Sequence, residues 1–481
     1  MLLSQLLKGT DATWNAENDI EIKGVAYNSQ KVQEGWLFVA IKGFSTDGHK
    51  YIPDALAKGA AAVIIEDDAD TGDAISVRVA DSRKALAGVS ANWFSHPAKE
   101  MKIIGVTGTN GKTTVTSLIK QILEFSGKKV GLIGTNGNMI GDKLLPGERT
   151  TPESYELHEL FREMADVGTE YVVMEVSSHS LSLSRVYGIE YEVASFTNLT
   201  QDHLDFHITM ENYFDAKKIL FNMCNKAVIN ADDEWGAKLL DAISCLKFSY
   251  SIDSASDFKA ENVRISARGI LFDLINNTDT YAVRLGIPGK FSVYNAMAAA
   301  VSCMSLGVPS DDIFTALTLA QGVKGRAETI YTNTDYTVII DYAHTPDGLE
   351  NIISTVREFA QGRVITLFGC GGDRDNTKRP IMGEIAGKLS DFCIITSDNP
   401  RTEEPMPIIH QIEEGMKKTN CEYITIENRR EAIGYALEIG KSGDCIILAG
   451  KGHETYQIIG KEKRHFDERE VIKELLEGMN A

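Results

Sequence analysis

The sequence predicts a three-domain α/β protein. At roughly 150 residues per domain, a chain of 481 residues is long enough for about three cores. Strand-like apolar runs alternate with helix-like segments, which is the pattern of parallel sheets covered by helices on both faces. The clearest of these runs are 60–66, 102–108, 171–177, 193–199, 337–343, 363–369, 392–398 and 445–452.

Two polar segments mark the predicted domain boundaries. SHPAKE (95–100) precedes a new strand at Lys102, and QGVKGRAET (321–329) separates an Ala-rich helical stretch from a second series of strands. We therefore expect domains at about 1–98, 99–327 and 328–481. In parallel sheets ligands bind beyond the carboxyl ends of the strands, so the polar clusters that follow these strands are candidate sites.

Composition restricts the class of partner and the compartment. A net charge of −19 disfavours non-specific binding to nucleic acid or to anionic membranes. The seven cysteines form no Cys-x-x-Cys pair, which is typical of reduced thiols in a cytoplasmic protein. The N-terminus does not resemble a signal peptide, and no apolar run approaches the ~20 residues of a membrane span. We expect a cytoplasmic monomer that acts on small molecules, without membrane insertion.

GVTGTNGKTT (105–114) is the first candidate site, because it links the strand KIIGV to an amphipathic helix. A glycine-rich turn at a helix N-terminus offers N–H groups to phosphate, Lys112 would reach the β- and γ-phosphates, and Thr113 would hold Mg²⁺. The strict Walker pattern fails, since Val106 stands where it requires glycine. An ordinary strand–helix turn is the alternative, although it leaves the lysine unexplained.

Two further strand ends carry candidate metal ligands. Glu175 follows one strand and could complement Thr113, while His203 or Asp202 in QDHLDFH could hold a second cation. His207 is expected to be structural. The segment NYFDAKKILF (212–221) has the pattern of an amphipathic helix whose lysines face solvent.

The last domain carries polar clusters after three strands: GCGGDRDNTKRP (369–380), SDNPRTEEP (397–405) and AGKGHETY (449–456). Arg374, Arg401, Asn399 and Glu454 could therefore face one pocket. Arginines bind carboxylates in a bidentate manner and an acid binds an ammonium, so the set suits a zwitterion. Arg401 could instead pair with its neighbours Glu403 and Glu404.

TGTNGKT, together with EVSSHS, DHLDFH and YFDAK, resembles the Mur ligase family and the related folylpolyglutamate synthases. The resemblance implies three domains, with a central P-loop ATPase domain and a C-terminal Rossmann-like domain, and an enzyme that uses ATP to activate a carboxylate. It implies catalytic roles for Lys112, Lys217 and His203, with Lys217 carbamylated. It implies sites for two Mg²⁺ ions at Thr113, Glu175, His203 and Lys217. It assigns ATP to Gly108, Thr109, Asn110, Gly111, Lys112, Thr113, Thr114, Asn295, Arg326 and Asp341; a helix N-cap is the alternative for Asn295.

The substrate motifs are similar to those of family members that add meso-diaminopimelate to UDP-N-acetylmuramoyl-L-alanyl-D-glutamate. This implies contacts to the UDP-muramoyl-dipeptide from Ser29, Thr150, Thr151, Ser177 and Arg185. It implies a diaminopimelate site at Arg374, Asp398, Asn399, Arg401, Gly450 and Glu454. Departures from the family pattern occur at Asn28, Gln30 and Leu183.

Three alternative functions remain open. The same ligation with L-lysine would not need Arg401, because lysine has no second carboxylate. A folylpolyglutamate synthase-like ligase would share the phosphate loop but not explain the first domain. A P-loop switch or assembly ATPase would need neither Lys217 nor a zwitterion pocket.

Overall fold

The computed structural model describes residues 1–479 except 16–18, 44–45, 146, 148, 267 and 321. The described chain divides into two compact units. The first comprises residues 1–250, 254–256 and 298–309, and the second comprises 251–253, 257–297 and 310–481. Among the described residues, none of the helices combines the length and the apolar character that crossing a membrane requires.

The first unit opens with a small parallel sheet in the order β1-β2-β3-β4. Its apolar residues form two clusters, one centred on Leu37, Ile64 and Leu86 and the other on Phe38 and Val63. Because successive strand residues point to opposite faces, both faces of this sheet are buried. Its elements are α1 (Leu3–Leu6), β1 (Gly24–Ala26), β2 (Trp36–Val39), α2 (Ile52–Ala57), β3 (Ala62–Ile65), β4 (Ile75–Arg78) and α3 (Ser82–Trp93).

The remainder of the first unit is built on a larger sheet. Its elements are β5 (Lys102–Thr107), α4 (Lys112–Phe125), β6 (Val130–Gly134), β7 (Gly137–Ile140), β8 (Lys143–Leu145), α5 (Ser154–Asp166), β9 (Tyr171–Glu175), α6 (Ser178–Ser182), β10 (Tyr191–Phe196), α7 (Leu204–His207), α8 (Met210–Lys218), β11 (Cys224–Asn230), α9 (Glu234–Ala242) and β12 (Leu246–Ser251). The strands lie in the order β12-β11-β10-β5-β9-β6-β7-β8. All pairs are parallel except those made by β7. This arrangement puts β5 in the centre, between β10 and β9.

An antiparallel ladder and two helices follow along the chain. The elements are β13 (Phe258–Ser266), β14 (Gly269–Ile275), β15 (Thr280–Leu285), α10 (Lys290–Ser305) and α11 (Ser310–Leu319). β14 pairs with both β13 and β15. Tyr281 of β15 stacks on Phe314 of α11, with ring centroids 4.9 Å apart.

The C-terminal part of the second unit is a separate α/β layer structure. Its elements are β16 (Glu328–Ile330), β17 (Thr337–Asp341), α12 (Pro346–Arg357), β18 (Val364–Phe368), α13 (Lys378–Leu389), β19 (Phe392–Ile395), α14 (Pro405–Met416), β20 (Glu422–Thr425), α15 (Arg429–Ile439), β21 (Cys445–Ala449), β22 (Tyr456–Ile459), β23 (Glu462–His465) and α16 (Glu468–Met479). The sheet order is β16-β17-β21-β18-β19-β20, and only β16 is antiparallel. Separate apolar clusters cover its two faces.

All eight strand-like runs of the sequence are strands, so that prediction is confirmed. Most of these strands end two or three residues before the apolar run was expected to stop. At 392–398, for example, the strand ends at Ile395, and Ser397 and Asp398 already belong to the loop. The polar residues at the run's end leave the ladder and become available for a site.

Candidate active site

The predicted phosphate loop lies where three neighbouring strands end. In the sheet register Glu175 of β9 is opposite Val106 of β5, and Phe196 of β10 is opposite Thr107. The carboxyl ends of β5, β9 and β10 therefore meet at one edge. The phosphate loop follows β5, Glu175 is the last residue of β9, and the segment from 197 to 203 follows β10.

Glycine is required at two positions of the loop itself. Gly108 has φ +149°, and a Cβ there would collide with the side-chain oxygen of Thr197. Gly111 has φ +86°, in the left-handed region, and directly precedes α4. Asn198 holds the loop from β10: its carbonyl accepts the Thr109 N–H at 2.9 Å and its Oδ1 accepts the Asn110 N–H at 2.9 Å. The loop thus has the tight backbone and the helix N-terminus that phosphate binding needs.

Lys112 is the first residue of α4 and folds back over the loop. Its Nζ donates to the carbonyl oxygens of Gly108 at 3.0 Å and of Thr109 at 2.8 Å. Thr113 and Thr114 follow in the first helical turn. The ammonium is therefore already positioned above the backbone that would contact a nucleotide phosphate, and these residues fit such a group.

Lys217 is buried against the same loop, with 2% of its surface exposed. Its Nζ donates to the Gly108 carbonyl at 2.8 Å, so two lysines share one acceptor. Burial lowers the pKa of Lys217 well below its ordinary value, and the nearby charge of Lys112 lowers it further. The helix pattern predicts that Lys217 faces solvent, and this prediction is wrong. Lys217 lies on the face of α8 that also carries the buried Tyr213 and Ala216.

His203 directly precedes α7 and has φ +53°. Its Nε2 lies 3.3 Å from Asp202 Oδ2; burial lowers the pKa of the imidazole, and Asp202 offsets part of that effect. His207 points elsewhere: its Nε2 lies 2.9 Å from Ser178 Oγ, and its ring stacks on Tyr213. These contacts agree with the structural role expected for His207.

Glu175 is a buried carboxylate at the end of β9. Thr135 binds both of its oxygens: the Thr135 N–H donates to Oε1 at 2.9 Å and the hydroxyl to Oε2 at 3.1 Å. Sequence reasoning missed Thr135, because nothing in the segment after β6 distinguishes it from a turn residue.

Four of the five residues predicted for the UDP-muramoyl-dipeptide lie in one hydrogen-bonded network. The Thr151 hydroxyl donates to the Glu175 carbonyl at 2.8 Å and accepts the Ser177 N–H at 3.1 Å. Arg185 Nη1 donates to the Thr151 carbonyl at 3.2 Å. Thr150 Oγ1 lies 3.0 Å from Thr135 Oγ1. The network runs alongside the carboxylate of Glu175.

Ser29 is the fifth of these residues, and it lies in a short 3₁₀ helix of residues 29–31. Asn28 caps that helix by accepting the Gln30 N–H at 2.9 Å. The departure at Asn28 thus has a local structural role. Beside it, the Tyr27 hydroxyl donates to Glu156 Oε1 of α5 at 2.7 Å.

In the second unit the residues predicted for ATP occupy α10 and the chain around β17. Asn295 is buried in the interior of α10, which begins at Lys290, so the helix N-cap alternative is wrong. Asp341 ends β17 and accepts the N–H groups of Ala327 at 2.7 Å and Ala343 at 2.8 Å. Burial raises the pKa of Asp341, an effect that Arg326 partly offsets.

The predicted amino-acid pocket brings Arg374 and Arg401 together. Both approach Gly371: a Cβ there would lie 2.8 Å from Arg401 Nη1 and 3.9 Å from Arg374 Cγ. Arg401 has φ +53°, and its Nη1 donates to the Gly372 carbonyl at 2.8 Å. The alternative that Arg401 pairs with Glu403 or Glu404 is not observed: neither of these described residues forms an ion pair with it, and Glu403 binds the buried Arg379 at 2.9 Å.

The remaining predicted pocket residues are linked to one another. Asn399 Nδ2 donates to Glu454 Oε2 at 2.9 Å. Gly450 has φ +114°, and a Cβ there would lie 2.6 Å from Asp398 Oδ2. Asp398 and Asn399 are buried, whereas Arg374 is exposed. The two buried side chains and the partly buried Glu454 thus form one hydrogen-bonded or close-packed group, and Asn399 is two residues from Arg401.

Known families match the chain over most of its length. The model of the Mur ligase family catalytic domain matches residues 21–101, that of the Mur ligase middle domain matches 106–303, and that of the Mur ligase glutamate ligase domain matches 325–452. The chain belongs to the Mur ligase family. The predicted family, the three-domain α/β architecture and the prediction of an ATP-dependent acid–amino-acid ligase are thereby confirmed.

Individual Mur ligases are similar over the full length. The UDP-N-acetylmuramoyl-L-alanyl-D-glutamate--2,6-diaminopimelate ligase of Clostridium botulinum is 51% identical over 482 residues, covering 99% of each chain. The enzyme of the same name from Caldanaerobacter subterraneus subsp. tengcongensis is 49% identical over 478 residues, again with 99% of each chain covered. A solved structure of a ligase of that name is 31% identical, with a TM-score of 0.71 and 96% of each chain covered.

Four residues are expected to bind Mg²⁺ in this Mur ligase, and only two of them, Glu175 and His203, are His, Cys, Asp or Glu. Within the described part of the chain, no group of three such residues is arranged to hold a metal ion. The expected set instead includes the Thr113 hydroxyl and a modified Lys217. The buried Glu175 and the low pKa of Lys217 are compatible with that chemistry.

Glu153 is a further residue of this Mur ligase that sequence reasoning missed. Its buried carboxylate binds Arg185 Nε at 2.8 Å, Arg149 Nη1 at 3.4 Å and Arg83 Nη1 at 3.6 Å. Arg185 is therefore held between Glu153 and the Thr151 carbonyl. The signal was available in RTTPES, where the acid follows the Thr-Thr-Pro element, but an acid just before a helix is also typical of an ordinary cap.

Proposed function

We propose that this chain is the ligase that joins meso-2,6-diaminopimelate to the D-glutamyl side-chain carboxyl of UDP-N-acetylmuramoyl-L-alanyl-D-glutamate, a step of peptidoglycan precursor synthesis. ATP is converted to ADP and phosphate in the reaction. The observation that carries the proposal is the clustering of Arg374 and Arg401 about Gly371. The full-length similarity to ligases of this name supports it.

The amino-acid pocket supports diaminopimelate over lysine. Diaminopimelate has a second α-amino-acid end, and lysine does not. The guanidinium groups of Arg374 and Arg401 suit a carboxylate, and Glu454, oriented by Asn399, suits an ammonium. Arg401 is held by its backbone N–H to the Ile458 carbonyl at 3.1 Å, which limits the freedom lost on binding.

The reaction proceeds in two balanced steps. An oxygen of the D-glutamyl carboxylate attacks the γ-phosphorus of ATP, an O–P bond forms, and the P–O bond to ADP breaks. The diaminopimelate amine then attacks the acyl carbon, a C–N bond forms, the C–O bond to phosphate breaks, and a proton leaves the nitrogen. Lys112 and the N–H groups of the phosphate loop offset charge on the transferred phosphoryl group.

We propose that Thr113, Glu175, His203 and a carbamylated Lys217 hold two Mg²⁺ ions, which would neutralise phosphate charge. The amine nitrogen of Lys217 attacks CO₂, an N–C bond forms, one C=O electron pair moves to oxygen, and a proton leaves the nitrogen. Only the neutral amine can do this. The lowered pKa of Lys217 supports the modification.

The enzyme is proposed to act as a monomer in the cytoplasm. All seven cysteines are free, as is typical of a reducing compartment. Sedimentation of the purified protein with and without substrates tests the oligomeric state. A dimer under assay conditions would contradict the proposal.

One assay separates the functions under consideration. The protein is incubated with ATP, UDP-muramoyl-dipeptide and radiolabelled diaminopimelate, lysine or glutamate. Nucleotide-linked product with diaminopimelate is expected. Product with lysine but not diaminopimelate would refute the role of Arg401, and no such product with any amino acid would refute the ligase function. The folylpolyglutamate alternative already fails to explain the match of residues 21–101.

A further inference from the structure

Lys451 is a fully buried lysine next to the proposed amino-acid pocket. It lies between two residues predicted for the pocket, directly after Gly450 and three positions before Glu454. Its exposed surface is 0%. A buried lysine is rare unless its charge is paired, so this position calls for a specific partner set.

The partners of Lys451 are three residues proposed for the pocket. Its Nζ lies 3.2 Å from Asn399 Oδ1, 3.3 Å from Glu454 Oε2 and 3.5 Å from Asp398 Oδ1. An ammonium has three donors. All three of these acceptors come from pocket residues, so one side chain links the loop after β19 to the loop after β21.

Lys451 and the Ile458 N–H together set which way the Asn399 amide faces. Asn399 Oδ1 accepts from Lys451 Nζ and from the Ile458 N–H at 2.9 Å. Because both neighbours are donors, the amide oxygen must face them and Nδ2 must face away. Nδ2 then donates to Glu454 Oε2 at 2.9 Å. The orientation of Glu454 therefore depends on Lys451 both directly and through Asn399.

Charge gives Lys451 a second role. The carboxylates of Asp398 and Glu454 both lie within 3.5 Å of Lys451 Nζ, and the ammonium between them offsets their mutual repulsion. Beneath them, the buried Arg429 pairs with Glu468 at 2.8 Å and donates to the Ala449 carbonyl at 2.8 Å. The end of β21 that presents Lys451 is thus itself anchored.

We propose that Lys451 is a positioning residue that sets the geometry and charge of the amino-acid pocket. It orients Glu454 and Asn399 for the ammonium of the incoming amino acid without contacting that substrate itself. The proposal rests on the proposed function, since it concerns the affinity for diaminopimelate.

The test compares Lys451→Met with the wild type and with the control Lys463→Met. Lys463 is exposed and lies over the same ring, with Nζ 3.7 Å from the Tyr456 centroid against 5.9 Å for Lys451. Lys451→Met is expected to raise KM for diaminopimelate by about 10- to 100-fold, the size of a lost charge-assisted contact. KM for ATP and for the UDP-substrate should stay within about twofold, and Lys463→Met should match the wild type.

Equal losses for all three substrates, or an unchanged KM for diaminopimelate, would overturn the positioning role. If Lys451→Met does not fold, Lys451→Met/Asp398→Asn removes one charge of each sign and keeps the pocket balanced. A selective rise in KM beyond that of Asp398→Asn alone is expected from it, because the Asn399 amide oxygen still loses one of its two donors. A wild-type enzyme that does not ligate diaminopimelate would overturn the proposed function, and the positioning role with it. An active wild type with an unaffected variant overturns the positioning role alone.

Discussion

Two buried lysines in this protein have opposite surroundings. Lys217 contacts the Gly108 carbonyl, which it shares with a second cation, Lys112. Among the described residues no carboxylate forms an ion pair with Lys217. Lys451 lies among the carboxylates of Asp398 and Glu454 and the amide oxygen of Asn399.

The difference shows how one side-chain type can serve two functions. Where burial and a like charge coincide, the neutral amine is favoured and can react as a nucleophile. Where carboxylates surround the nitrogen, the ammonium is stabilised and acts as a fixed charge. Burial alone does not distinguish the two sites, whereas the sign of the neighbouring groups does.

The largest expected effect is the loss of the reactive lysine. Lys217→Met should lower kcat by about 10³-fold, because it removes the proposed carbamate and with it several kcal/mol of charge stabilisation. Lys218→Met is the matched control, since Lys218 is the next residue and pairs with Asp215 at 2.7 Å. Steady-state kinetics measures both, and ¹³C NMR after incubation with ¹³C-bicarbonate should show a carbamate signal only when Lys217 is present. A fully active Lys217→Met enzyme would remove the proposed distinction between the lysines.

The next largest effect is expected in the proposed amino-acid pocket, at Arg401. Arg401→Asn should raise KM for diaminopimelate by about 10- to 100-fold, because a charge-assisted contact to a carboxylate is worth about 1.5–3 kcal/mol. KM for ATP should not change. Asparagine tolerates the positive φ of this position better than alanine, so a larger loss of thermal stability in Arg401→Ala would measure backbone strain separately. Unchanged affinity of both variants for diaminopimelate would refute the carboxylate clamp.

The pH dependence of stability gives a third, smaller measure. The pKa of Lys217 is lowered from 10.5 in the folded state, so between that lowered pKa and about 10.5 the unfolded chain binds more protons. Stability must then rise with pH across this window, by up to about 1.4 kcal/mol per pH unit for one group. In urea unfolding in CO₂-free buffer, the free energy of unfolding of the wild type should increase relative to that of Lys217→Met as the pH increases from 7 to about 9.5. A constant difference would mean that Lys217 is protonated in the fold.

The smallest expected effect concerns Glu175, a proposed metal ligand, and the Thr135 hydroxyl that donates to it. Thr135→Val keeps the side-chain volume and the N–H bond to Glu175 Oε1 but removes the hydroxyl that donates to Oε2 at 3.1 Å. The apparent affinity for Mg²⁺, measured by titrating activity, should fall about 3- to 10-fold, equivalent to about 0.5–1.5 kcal/mol. Thr425→Val is the matched control, because it also removes a hydroxyl that donates to a glutamate, Glu413 Oε1 at 2.8 Å, but in the C-terminal sheet. A Mg²⁺ dependence of Thr135→Val identical to that of the wild type would show that Glu175 is oriented by backbone alone.

Several features were predictable because they depend on residues close together in the chain. The strand, glycine turn and helix around Lys112 follow from local periodicity and from the conformations that only glycine adopts readily. Strand ends and charge also singled out Glu175, Arg374 and Arg401. The family resemblance added Lys217, Asn295 and Arg326, since its motifs are contiguous stretches. The helix pattern of α8 also predicted that its lysines lie on the surface, and for Lys217 this prediction was wrong. An amphipathic pattern does not reveal which face of a helix another loop will cover.

The tertiary structure decided the environment of each charge. Lys217 is buried because the phosphate loop of a distant strand packs on it, and Lys451 meets Asp398 and Asn399 from more than fifty positions earlier in the chain. Thr135 and Glu153 acquire their roles in the same way, through contacts with Glu175 and Arg185. Sequence by itself determined the elements and the reactive side-chain types. Burial and the sign of neighbouring charges are properties of the folded chain, since they arise between residues that only the fold brings together.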